Sequence, residues 1–90
     1  MKITVEYAAQ VKRATGVADE VLDVPDDVSL CKLGQIVADK HGEATQRVLM
    51  QDGSIHPSIL VFINDQQARD TNQQLSDGQR VTFLSPISGG

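Results

Sequence analysis

Hydrophobic and polar residues alternate cleanly over residues 2–8, with Ile3, Val5 and Tyr7 set against Lys2, Thr4 and Glu6. A period of two predicts a half-buried strand. Residues 9–18 carry Lys12, Arg13 and Gly16 without a sustained period and read as a loop or open hairpin. A second strand is predicted over 19–24, ended by Pro25 and the polar pair Asp26 and Asp27. Two strands this close in sequence are expected to be antiparallel. The period then changes. Over 30–41, Leu30, Leu33 and Val37 fall on one helical face with Ile36 at its flank. Ser29 or Asp27 is the candidate N-cap, and Gly42 is placed to end the helix. Gly34 borders the apolar face. Glycine costs helix propensity there, so its expected use is a close approach of helix to sheet.

Residues 44–50 add a helical turn through Ala44, Val48 and Leu49, Gln51-Asp52-Gly53 is a turn, and 54–58 is irregular. The most apolar run, 59–63, predicts a central strand. Asn64-Asp65 turns the chain into a brief strand over 67–69, and a polar loop over 70–74 follows. Ser76-Asp77-Gly78 feeds a last strand over 80–84, with Val81 and Phe83 on one face and Arg80, Thr82 and Leu84 on the other. Pro86 has no N–H with which to continue a ladder. One helix packed across a four- or five-stranded mixed sheet accounts for this order, an α+β domain over 1–85. Residues 86–90 form a tail. Ser88, Gly89 and Gly90 have no apolar side chain with which to dock, so mobility is expected of them.

Ninety residues make one domain, and its 40% hydrophobic content is ordinary. The net charge of −4 argues against non-specific nucleic-acid binding. The sequence shows no membrane-spanning run or signal peptide, so a cytoplasmic location without membrane association is expected. Acidic residues gather at Asp19, Glu20, Asp23, Asp26 and Asp27. That grouping is a solvated edge or a surface that steers the chain towards a basic partner.

Ordinary active-site chemistry finds little support. Cys31 lies in the first helical turn, where the macrodipole favours a thiolate, but no histidine neighbours it in sequence. It reads as an incidental thiol and excludes an internal disulfide. His41 reads as a helix-end residue favoured by the dipole, and His56 as a loop residue. Neither marks a metal site or a general base. Glycine-rich nucleotide-binding motifs are absent. The chain is expected to catalyse nothing by itself.

The Gly89-Gly90 ending points to a different chemistry. Without a Cβ on either residue, the backbone can thread a narrow channel and present an unhindered carboxylate. With Val61 and Ile63 turned to the helix, Leu60, Phe62 and Leu84 turn outward together, a candidate docking patch beside the tail. The competing arrangements are a 42–58 segment folded over that patch and a register inverted by one residue.

These residues carry a family resemblance. Leu75-Ser76-Asp77-Gly78, Val81-Thr82-Phe83-Leu84 and Pro86-Ile87-Ser88-Gly89-Gly90 resemble the C-terminal motif of the ubiquitin-like sulfur carriers of the MoaD/ThiS (CysO-like) type. Ile59 to Asp65 resembles the family's apolar strand followed by Asn. Ser85 departs from the pattern, standing where proline is usual. The resemblance implies a β-grasp (ubiquitin-like) fold with its first and last strands parallel at the centre. It also implies that Gly90 is adenylated by an ATP-using enzyme related to ubiquitin activators. A sulfurtransferase then makes it a thiocarboxylate, whose sulfur passes to a biosynthetic enzyme of molybdopterin, cysteine or thiamin type. In that scheme Gly89 and Ser88 thread the channel, Pro86 and Ile87 set the exit, and Leu60, Phe62 and Leu84 bind partners. No bound cofactor or metal is needed. A protein modifier joined through Gly90 to lysines is the alternative, because fold and activation are shared. A third reading is a small non-catalytic subunit of a sulfur-transfer enzyme.

Overall fold

The computed structural model describes residues 1–86. The assignments made above to Ile87, Ser88, Gly89 and Gly90 lie outside the described residues. In chain order the elements are β1 (Lys2–Ala9), α1 (Gln10–Thr15), β2 (Asp19–Asp23), α2 (Leu30–His41), α3 (Glu43–Leu49), β3 (Met50–Gln51), β4 (Ser54–Ile55), β5 (Leu60–Ile63), β6 (Gln66–Ala68) and β7 (Arg80–Ser85).

Alternation along the strands sets the sheet's two faces. Ile3, Val5 and Tyr7 of β1, Val61 and Ile63 of β5, and Val81 and Phe83 of β7 are buried. Five strands pair in the order β2-β1-β7-β5-β6. Only β1 and β7 are parallel, from Thr4↔Arg80 to Ala9↔Ser85; the other pairs are antiparallel. The first and last strands therefore lie side by side at the centre, the β-grasp arrangement.

α2 buries Leu30, Leu33, Gly34, Val37 and Ala38. Ser29 is its N-cap: the Ser29 hydroxyl oxygen accepts the Lys32 N–H at 3.1 Å. The loop over 71–74 serves the same helix end, where Gln73 and Thr71 carbonyls accept the N–H groups of Leu30 and Cys31. The helix stops at Gly42, whose φ of +103° disfavours residues bearing a Cβ.

Three local readings are corrected. The 9–18 segment is neither loop nor open hairpin: α1 occupies Gln10–Thr15, closed by the left-handed Gly16. One fully buried residue, Val11, anchors it, and a single anchor produces no visible period. The irregular 54–58 stretch contains β4, which pairs with β3 through Met50↔Ile55 and Gln51↔Ser54 around the positive-φ pair Asp52 and Gly53. Gly34 does permit a close approach, but to this small hairpin rather than to the sheet. A Cβ at Gly34 would collide with Ile55 Cδ1 and come within 3.0 Å of Met50 Sδ. The remaining differences are element ends: β1 runs on to Ala9, β2 stops at Asp23, α3 covers Glu43–Leu49, β5 begins at Leu60, β6 covers Gln66–Ala68, and β7 runs on to Ser85.

Candidate functional site

Residues paired across a sheet point to the same face, so the register alone composes the surface opposite α2. Leu60 pairs with Leu84, and Leu84 with Ala8, making one apolar row across β5, β7 and β1. Phe62 stands in the next row, opposite Thr82 and Gln67. Leu60, Phe62 and Leu84 are each half-buried, while their strand neighbours Val61, Ile63 and Phe83 are buried towards α2. The 42–58 segment does not cover the patch. Its buried residues Leu49, Met50 and Ile55 belong to the core, and its hairpin packs on Gly34 of α2.

Charged residues bound this apolar row. Arg80 Nη2 lies 2.7 Å from Asp65 Oδ1, and Arg80 Nε lies 2.8 Å from Glu6 Oε1. The second contact is off the N–H direction and acts as an ion pair rather than a hydrogen bond. The Thr82 hydroxyl donates to Glu6 Oε1 at 3.4 Å. Arg80 thus bridges two carboxylates at the patch border, which keeps a net negative charge, while the apolar row itself carries none.

The root of the tail lies where the parallel ladder ends. Ala9 is the last β1 partner, opposite Ser85, and Pro86 beyond it is exposed. Ala9 turns the chain into α1 with φ 58° and ψ −127°, a conformation costly for a residue with a Cβ. α1 packs against β1 and β7, so its Lys12 and Arg13 belong to this end of the molecule. The tail root thus lies at the end of the sheet from which α1 departs, beside the row residues Leu84 and Ala8.

The other candidates have structural roles. Cys31 is half-buried, with Sγ 3.2 Å from the Gly53 carbonyl oxygen. His56 Nδ1 closes a turn by accepting the Ser58 N–H at 3.1 Å. His41 is more than a helix-end residue. Its Nε2 lies 2.5 Å from Glu20 Oε2, which also accepts the Tyr7 hydroxyl at 2.6 Å. Lys40 Nζ donates to Glu20 Oε1 at 2.7 Å, and the Tyr7 and His41 rings meet edge to face at 5.9 Å. Burial pushes the Glu20 carboxyl up, but hydrogen bonds from Lys40, Tyr7 and His41 outweigh it and hold the group at about 2. Burial, reinforced by the Glu20 carboxylate, raises the Tyr7 phenol well above its usual range. The signal for this cluster was present in the sequence. Glu20 alternates with Leu22 and Val24, both buried, on the inward side of β2 and its continuation, and a charge there requires partners. The cluster ties the end of α2 to β1 and β2 on the face away from the patch. Among the described residues no three His, Cys, Asp or Glu side chains converge to hold a metal ion.

Comparison with known proteins follows the same lines. The ThiS family model matches residues 5–90. The chain is 30% identical to Ubiquitin-related modifier 1 of Yarrowia lipolytica, with 100% of both chains covered. Its fold is similar to the solution structure of Urm1 from Trypanosoma brucei, with 27% identity, a TM-score of 0.80, and 99% of this chain and 95% of that one covered. A chain of the Amycolatopsis orientalis BexX/CysO complex shares the fold at 21% identity and a TM-score of 0.71, with 98% and 99% covered.

Proposed function

The chain belongs to the ThiS family, and from that premise we propose that it is a sulfur carrier whose Gly90 carboxylate is adenylated and converted to a thiocarboxylate. The observation that carries this reading is the path of β7. It runs beside β1 through the middle of the sheet and delivers the exposed Pro86 at the edge of the Ala8-Leu84-Leu60 row, four residues before Gly90.

In this reading the sheet holds the root while Pro86 and Ile87 set the exit and Ser88 and Gly89 enter the partner's channel. An adenylating enzyme uses the ATP: the Gly90 carboxylate oxygen attacks the α-phosphorus and pyrophosphate leaves. A sulfurtransferase then supplies the sulfur that displaces AMP from the acyl carbon, and a biosynthetic enzyme takes that sulfur up. Leu60, Phe62 and Leu84 dock each partner in turn, an uncharged surface beside the reacting group. The chain contributes a substrate carbonyl and a docking face, needs no bound cofactor, and acts in the cytoplasm. That a chain of this fold is found in a complex such as BexX/CysO supports partner docking in general.

A second reading has an observation of its own. The name of the Yarrowia relative, Ubiquitin-related modifier 1, favours conjugation of Gly90 to lysine amines. The intact mass of the chain, purified from its own cells without added thiol, separates the two. Exchange of one oxygen for sulfur, lost when Gly90 is deleted, is expected for the carrier. The C-terminal peptide recovered on lysines of other proteins identifies the modifier. A terminus unmodified under every sulfur-demanding condition overturns both.

A further inference from the structure

The acidic stretch of β2 plays no part in the proposed carrier chemistry. β2 is an outer strand, hydrogen-bonded among the described residues on one side only, to β1. The ladder's parity tells which of its backbone groups are free. Met1 and Val24 exchange both hydrogen bonds, at 2.7 and 2.8 Å, and the Tyr7 N–H donates to the Ala18 carbonyl at 2.9 Å. Antiparallel pairs alternate between bonded and non-bonded, so Glu20 and Leu22 spend their N–H and C=O groups on β1. Those of Asp19, Val21 and Asp23 point out of the sheet edge.

The same three residues turn their side chains to the face opposite α2. Val21 is 60% exposed, an apolar side chain between two carboxylates. The charge of Glu20 is directed inward and taken up by Tyr7, Lys40 and His41, so Asp19 and Asp23 are the carboxylates presented at the edge. Asp23 has the N-terminal amine at 3.6 Å and Lys2 Nζ at 3.8 Å, contacts of an exposed carboxylate that hold it weakly.

We propose that the β2 edge is a docking site for an extended segment of a partner protein that carries a basic, an apolar and a basic residue at alternate positions. Such a strand pairs with the free N–H and C=O groups of Asp19, Val21 and Asp23, and places its basic side chains over the two carboxylates and its apolar one over Val21. A second copy of this chain does not fit. Antiparallel pairing about Val21 sets Asp19 against the other copy's Asp23, and parallel pairing sets each carboxylate against its equivalent. β2 lies three strands from β5, about 14 Å at ordinary strand spacing. A partner held at this edge therefore leaves Leu60 of β5 open to another protein. The proposal does not depend on the chemistry of Gly90.

The test is an NMR titration of the full-length chain, isotopically labelled, with a nine-residue peptide bearing Lys-Thr-Val-Thr-Arg at its centre. Shifts centred on β2 and slowed hydrogen exchange at the amides of Asp19, Val21 and Asp23 are expected. Val21→Lys should weaken binding about tenfold, as should Asp19→Lys combined with Asp23→Lys; the latter should also gain affinity for the Glu-Thr-Val-Thr-Glu counterpart. The wild-type chain read against both peptides gives the same charge preference without any variant. No shifts at β2, equal affinity for the basic and acidic peptides, or concentration-dependent self-pairing at β2 would overturn the proposal. Deleting Gly90 should leave peptide binding unchanged, so this result stands or falls apart from the carrier reading.

Discussion

Replacing Glu20 by glutamine should remove most of the acid sensitivity of this fold. The Glu20 side chain is 15% exposed and accepts from Tyr7, Lys40 and His41, which hold its carboxyl at about 2 against an ordinary 4.5. That difference corresponds to about 3 kcal/mol of folding free energy at neutral pH. Because the folded value is depressed, the contribution is complete above about pH 4.5 and is lost as the pH falls towards 2. About 2 kcal/mol of it should be gone by pH 3. Glu20→Gln is neutral throughout, so it should be less stable than the parent by about 3 kcal/mol at pH 7, a Tm lower by roughly 10–20 °C. The two proteins should converge on acidification. Urea melts of both at intervals from pH 7 to pH 2.5 measure the difference directly. An acid limb of equal size in the two proteins would refute the assignment, since the titration would then belong to other carboxylates.

Other perturbations probe the rest of the molecule. Ala9→Gly relieves the φ 58°, ψ −127° corner and should stabilise the chain by about 1 kcal/mol in denaturant melts, after the extra flexibility of glycine in the unfolded chain is set against the strain. Loss of stability would show that the corner is not strained. Thr45 is fully buried in α3 and its hydroxyl has no hydrogen-bond partner among the described residues, so the nearly isosteric Thr45→Val should stabilise by about 1 kcal/mol. A destabilised variant would mean that the hydroxyl is satisfied, for instance by a bound water. Phe62→Glu places a charge beside the apolar row and should weaken binding to the proposed adenylating partner at least tenfold, measured by calorimetry at a temperature where the variant is folded. Unchanged binding would remove that face from the docking surface.

Legibility in the sequence followed the length and regularity of each element. Strands β1, β5 and β7 and the helix α2 each place three or more residues on the buried face or in an unbroken apolar run, and such elements declare their type and facing locally. α1 rests on Val11 alone, and β3 and β4 have two residues apiece, too few for any period to appear. Gly34 was legible as a close approach but not as an approach to Ile55 and Met50, because what packs on a helix from twenty residues away leaves no local mark. The histidines show the same limit. His41 looked solitary in sequence, while its partner Glu20 lies twenty-one residues earlier on a strand.

By itself, then, the chain's pattern determined the α+β class and the type and apolar side of its longer elements, β1, α2, β5 and β7, since these follow from the backbone's own periods of 2 and 3.6. The parallel pairing of β1 with β7, the Ala8-Leu84-Leu60 row, the closure of Tyr7, Glu20, Lys40 and His41 into one cluster, and the free edge of β2 were decided only by the tertiary structure. Each depends on which distant segments share the core, and the buried contacts that select those neighbours are spread along the chain rather than contained in any one stretch of it.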